Sequence, residues 1–171
     1  VVRRSSGMPL SSAKAIQISG TRTPSISRQT MFIVQVPSPG EGKNFRGSLD
    51  ALRQETQAVI LSDTFEEFAK PLMEKLNWPA ILCNSLEVAE SGEITGFRMR
   101  CPQSKLTTVR ALQSMGYETI AAGDSHNDLA MIEASKAGFL FRSTDQIKAD
   151  YPQIPAYETY DELLAAIRAA L

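Results

Sequence analysis

The sequence predicts an α/β protein built on a parallel sheet, and three observations carry that prediction. From Leu49 onward, apolar runs and amphipathic stretches alternate, the order expected of repeated strand and helix units. One run, Ala58-Val-Ile-Leu61, is wholly apolar and reads as a buried strand, and Tyr117 to Ala122 reads as another strand. Each of these two runs ends abruptly in a polar cluster, Ser62-Asp63-Thr64 and Gly123-Asp-Ser-His-Asn-Asp128. In parallel α/β sheets, ligands collect at such carboxyl ends of strands.

The first 46 residues differ from the rest. Residues 1 to 40 hold Arg3, Arg4, Lys14, Arg22 and Arg28 but no acidic residue, are crowded with Ser and Thr, and show no helical period. Residues 1–46 therefore read as an irregular segment foreign to the domain at 47–171. The preferred explanation is a frameshifted or wrongly joined stretch, and an organellar transit peptide is the alternative. One run inside it, Met31-Phe-Ile-Val-Gln-Val36, has the apolar character of a strand and stops at Pro37-Ser-Pro-Gly40.

Beyond Asp50, which lies in a helical stretch, the strand at Ala58 to Leu61 leads into a helix. Thr64 and Glu67 have capping-box spacing, Phe65, Phe68, Leu72 and Leu76 form its stripe, and Pro71 should kink or divide it. Ala80 to Arg100 reads as a hairpin around Glu90-Ser-Gly-Glu93. Lys105 to Met115 is a helix with Leu106, Val109 and Leu112 inward and Gly116 closing it. After the strand at Tyr117, a helix with Leu129 and Ile132 on its core face runs until Gly138. Phe139-Leu-Phe141 is a further strand, Ser143 and Gln146 open a small helix, and Thr159 with Glu162 caps the last one, Tyr160 to Leu171.

Bulk properties narrow the function. With 171 residues, 43% hydrophobic and 22% charged, the chain is long enough for one core. A net charge of −1 gives no general attraction to nucleic acid or an anionic membrane, so neither is an expected partner. No apolar run reaches the length of a membrane span. Cys83 and Cys101 stand far apart and form no metal or disulfide motif, which points to a reducing, cytoplasmic setting.

The candidate site residues lie at strand ends and helix starts. Asp124 stands just past a strand, and Asp128 returns to the same side four residues later. Two carboxylates there suit Mg²⁺, although Asp, Ser and Asn also favour helix starts for capping alone. Asn127 adds an amide for a phosphate oxygen. Ser62 ends its strand with a hydroxyl that can donate to phosphate, whereas Thr64 reads as a cap. Lys105 opens its helix, a place that an ordinary solvated lysine also takes, and His126 reads as an exposed, variable position beside the loop.

A strand ending in Ser62, then Lys105 before a helix, then a strand ending in Gly-Asp-x-x-Asn-Asp resemble, in that order, motifs two to four of the haloacid dehalogenase superfamily. Val59-Ile-Leu-Ser-Asp-Thr-Phe65 and Ile120-Ala-Ala-Gly-Asp-Ser-His-Asn-Asp128 are similar to phosphoserine phosphatases. They are most similar to the bifunctional branch that also transfers phosphate to homoserine. The resemblance implies a three-layer, Rossmann-like parallel sheet with helices on both faces, plus a small hairpin. It also implies a Mg²⁺-dependent reaction through an aspartyl-phosphate on a small phosphorylated amino acid, with a homodimer left open. Under it, Ser62, Asp63, Lys105 and Asn127 would bind substrate or phosphate, Lys105 and Asp128 would serve catalysis, and Asp124 and Asp128 would hold the metal.

The departure is the family's first motif, Asp-x-Asp at the end of the first strand, which has no counterpart. The helical cap that normally follows it is missing too. The fold is thus expected to be incomplete at its first strand unless Met31 to Val36 fills the slot, with Pro37 to Gly40 then standing where the carboxylates belong. The expected outcome is a phosphatase core without its nucleophile. A non-catalytic phosphate-binding or regulatory domain is the alternative, and a receiver-type signalling domain ranks third.

Overall fold

The computed structural model describes residues 30–34 and 42–171. In chain order the elements are β1 (Thr30–Val34), α1 (Gly42–Leu52), β2 (Gln57–Phe65), α2 (Glu66–Lys75), β3 (Ala80–Val88) and β4 (Ile94–Arg98). There follow α3 (Ser104–Ser114), β5 (Glu118–Gly123), α4 (His126–Ala134), β6 (Ala137–Phe141), α5 (Asp145–Asp150), β7 (Ala156–Tyr157) and α6 (Tyr160–Ala170). The sheet order is β4-β3-β2-β1-β5-β6-β7, and every pairing is parallel except β3 with β4.

Strand periodicity sorts the core into two layers. In β2, Ala58 and Ile60 face one side and Val59 and Leu61 the other, as a period of two requires. On the first face they meet Phe45, Leu49 and Leu52 of α1, Ala69 and Met73 of α2, and Leu163 and Ile167 of α6. On the second they meet Val109 of α3, Leu129 and Ile132 of α4, and Ile147 of α5. This is the three-layer arrangement expected, with helices on both faces.

The central slot is filled. β1 lies between β2 and β5, pairing Val34 with Ile60 on one side and with Ala122 on the other. Ile33 is fully buried there and Met31 nearly so. A five-residue apolar strand therefore satisfies both rows of backbone groups that its absence would leave unpaired. The regular fold also starts earlier than residue 47, since α1 begins at Gly42. The expectation for Pro37 to Gly40 lies outside the described residues.

Several local expectations need correction. β2 continues to Phe65, so α2 is capped by Phe65 without a side-chain bond, and Thr64 is not its cap. Glu67 instead accepts a bond from the Leu86 amide. α2 runs through Pro71 undivided; Leu72 and Leu76 face the core as expected, but Ala69 and Met73 join them and Phe68 is exposed. In α3, Lys105 and Thr108 are buried beside Val109, and Leu106 and Leu112 are only half-buried. α4 ends at Ala134 with Ser135 extended, so Gly138 does not stop it. Gly138 belongs to β6, where an added Cβ would lie 2.5 Å from the Ile132 carbonyl oxygen. α5 is capped by Thr144 rather than Ser143, and β7 was not foreseen.

Other expectations hold. The hairpin forms as β3 and β4, Gly116 adopts a left-handed φ of 93° just after α3, and Thr159 with Glu162 forms a reciprocal capping box on α6. Among the described residues, no helix is long and apolar enough to cross a membrane.

Candidate functional site

The site lies at the carboxyl ends of β2, β1 and β5, neighbours at the middle of the sheet. β2 reaches it through an irregularity. Against β3, Leu61 pairs with Leu82 and Phe65 with Asn84, so Ser62, Asp63 and Thr64 stand opposite the single residue Cys83. The extra residues bulge from the ladder, which is how a strand re-aims side chains at a sheet end. Asn84, almost fully buried, donates to the Asp63 carbonyl oxygen (2.9 Å) and accepts from the Arg100 amide (3.0 Å). The Thr64 amide donates to Ser62 Oγ (3.2 Å).

Lys105 lies at the centre of the polar contacts. It enters from the first turn of α3, which follows Gln103 in a left-handed conformation. Its Nζ donates to Asp128 Oδ1 at 2.7 Å and stands 3.2 Å from Asp63 Oδ2. Asp63 also accepts from Ser104 Oγ at 3.2 Å. Burial pushes the Lys105 ammonium towards neutrality, but the hydrogen bond and charge of Asp128, with Asp63 behind them, outweigh it and raise its pKa.

Asp128 is wholly buried, and both of its oxygens accept hydrogen bonds. Oδ1 takes Lys105, and Oδ2 takes the Asp124 amide (3.1 Å), the Ser125 amide (3.1 Å) and Ser125 Oγ (2.9 Å). Gly123 makes this possible: a Cβ on it would lie 2.4 Å from Asp128 Cβ. Asp124, by contrast, keeps Oδ1 buried without a hydrogen-bond partner. Burial, and then the nearby Asp128 charge, raise its pKa.

The sequence-predicted residues are thus brought together unequally. Asp63, Lys105 and Asp128 form one continuous ion-pair and hydrogen-bond chain, and Asp124 joins it through its backbone. Ser62 is buried at the adjoining strand end without a direct bond to Lys105, and Asn127 and His126 are exposed on the first turn of α4. Ser104 and Ser125 were missed. Both sit beside a residue that was singled out, which was the available signal. Asn84 gave none, because an isolated amide inside a strand looks like any polar strand residue.

The donor set fits Mg²⁺ in a restricted sense. A hydrated Mg²⁺ commonly takes one or two carboxylates plus phosphate oxygens. Asp124 Oδ1 is an unpartnered acceptor of that kind, whereas both oxygens of Asp128 already accept hydrogen bonds within the site. No group of three or more His, Cys, Asp or Glu side chains able to hold a metal occurs among the described residues.

A family model for haloacid dehalogenase-like hydrolases matches residues 17–133, a span that takes in β1 and all three polar clusters. The chain belongs to the haloacid dehalogenase-like hydrolases. Within that family it is 44% identical over 115 residues to phosphoserine phosphatase ThrH of Pseudomonas aeruginosa, covering 67% of this chain and 56% of that one. It is also 44% identical over 115 residues to a phosphoserine phosphatase of Pseudomonas syringae pv. tomato, covering 67% and 48%. The chain therefore spans about half the length of these curated relatives. A crystal structure of phosphoserine phosphatase in apo form shares the fold, with a TM-score of 0.59 at 19% identity over 70% of this chain and 64% of that one.

Proposed function

We propose that this haloacid dehalogenase-like chain carries the phosphoryl-binding half of a phosphoserine phosphatase-type site, and that it does not itself turn substrate over. The carrying observation is Lys105, buried and charged between Asp128 and Asp63 at the ends of the central strands. A buried ammonium held this way is a fixed positive charge for phosphoryl oxygens, and it needs no reorganisation when they arrive. Lys105 has three N–H donors, of which Asp128 and Asp63 take two, so the third is available to such an oxygen. Ser62 would donate its hydroxyl from the adjoining strand end, and Asn127 would approach from α4. Asp124 would hold Mg²⁺, which when bound supplies charge neutralisation at the same oxygens. Asp128 keeps Lys105 and the Asp124 backbone in place.

The lack of turnover rests on the sequence after β1. The family's reaction needs an aspartate at the end of that strand, and Gln35-Val-Pro-Ser-Pro-Gly-Glu41 contains none. The same observation favours a second reading, a domain that binds phosphate without hydrolysing its esters. The relatives' names support O-phosphoserine as the ester, and the earlier resemblance adds homoserine as a phosphoryl acceptor.

Two measurements on the purified chain test the proposal. With Mg²⁺ present, calorimetry should detect binding of inorganic phosphate, and phosphate release from O-phosphoserine should stay at background with or without homoserine. Release at an ordinary enzymatic rate would overturn the claim of inactivity. Failure to bind phosphate would overturn the site assignment and the binding-domain reading with it.

A further inference from the structure

Asp63 is the one member of the chain of charges that a phosphoryl site does not obviously want. Lys105 is paired with the fully buried Asp128 at 2.7 Å, and Asp63 approaches the same ammonium at 3.2 Å from the outer side. Its side chain is 48% exposed, against 0% for Asp128, so it stands at the rim, not in the foundation, of the site. It is fixed there from two sides, since Ser104 Oγ donates to its other oxygen and Asn84 anchors its backbone carbonyl. A phosphoryl group on the third N–H of Lys105 would therefore share its cation with a held carboxylate. Two anions competing for one ammonium repel each other.

A ligand relieves that conflict by bringing its own cation. We infer that Asp63 is a specificity-determining residue: it reads an ammonium group on the organic half of the phosphate ester and disfavours esters that lack one. The inference rests on the phosphoryl-site reading above and deepens it by assigning one residue to the ammonium of the ester named there. Part of Asp63's open carboxylate surface would accept the ligand's ammonium N–H, so the rim charge changes from a penalty into a contact. Asp63 makes no contact with the ester oxygen in this account and takes no part in bond breaking.

The test compares ethanolamine phosphate with n-propyl phosphate, which differ chiefly in an ammonium replacing a methyl group. Their affinities for the full chain, and that of inorganic phosphate, are measured by calorimetry in Mg²⁺ for the wild type and for Asp63→Asn. Asparagine keeps the shape and an acceptor for Ser104 but removes the charge. The urea unfolding midpoint confirms that the variant is folded, and Asp63→Ser serves as a second variant. The wild type should prefer ethanolamine phosphate by roughly three- to tenfold, as expected for one partly exposed charged contact. Either substitution should abolish that preference and tighten inorganic phosphate, and the wild-type preference should shrink as salt is raised. If the wild type binds phosphate yet does not distinguish the two esters, or if the preference survives in folded Asp63 variants, the role of Asp63 is wrong while the phosphoryl site stands. If phosphate is not bound at all, both fail together.

Discussion

Asp128 and Gly123 show how tightly the site is specified by single residues. Asp128 holds a buried lysine, two amides and a hydroxyl, so replacing it with Asn leaves Lys105 without its main counter-charge in a dry setting. Asp128→Asn should cost about 3 kcal/mol of stability, read from urea unfolding, because breaking one side of a buried pair strands the other. Gly123→Ala forces a methyl group into the space of Asp128 Cβ, 2.4 Å away, and should cost about 1–3 kcal/mol by the same measurement. Lys105 also sets a pH dependence. Folding raises its pKa above the ordinary lysine value of 10.5, so its contribution is fully present below that value and is lost as pH rises through the folded value. Alkaline unfolding should therefore be steeper in the wild type than in Lys105→Met. At this scale the sequence was legible where residue type and position coincide: Asp124, Asp128 and Lys105 all lie at strand ends or helix starts. For Asp63 the resemblance implied a place at the site, but its approach to Lys105 was not legible, because it comes from a bulge that only pairing with β3 creates.

The elements follow local chemistry where that chemistry is self-contained. The capping box of α6 needs only Thr159 and Glu162, and it forms as written, with Glu162 accepting from the Thr159 amide at 3.1 Å. These bonds, first the Thr159 hydroxyl and then its amide, lower the Glu162 pKa. A lowered carboxylate pKa adds stability above the unfolded value of about 4.5, and that stability is lost as pH falls through the folded value. Thr159→Ala should cost about 1 kcal/mol near neutral pH, and the acid limb of its stability profile should be shallower than that of the wild type, as followed by circular dichroism. The same capping pattern misled at Thr64 and Glu67, because β2 keeps pairing past the polar cluster and Glu67 is drawn to the Leu86 amide. Tertiary pairing there overrides a local signal of similar strength. The expected stripe of α2 holds at Leu72 and Leu76 but not at Phe68, which is exposed while Ala69 and Met73 face the core.

For the whole molecule, the decisive element is β1. Its apolar residues were legible as a strand, but nothing local shows that five residues among a Ser- and Arg-rich stretch form the centre of a seven-stranded sheet. That place is defined by the two strands on either side, which follow it in the chain by more than twenty residues on one side and more than eighty on the other. Ile33, fully buried between the layers, tests this directly: Ile33→Ala should cost about 2–5 kcal/mol, whereas a peripheral strand residue would cost far less. A complete central sheet places Ser62, Lys105 and Asp124 around one end, and the proposed binding of phosphate depends on that convergence. The most direct test of that account is the Mg²⁺-dependent affinity for inorganic phosphate, measured by calorimetry for the wild type beside Lys105→Met. Saturable binding by the wild type, lost by at least tenfold in the variant, is the expected result. Equal affinity in both proteins would contradict it.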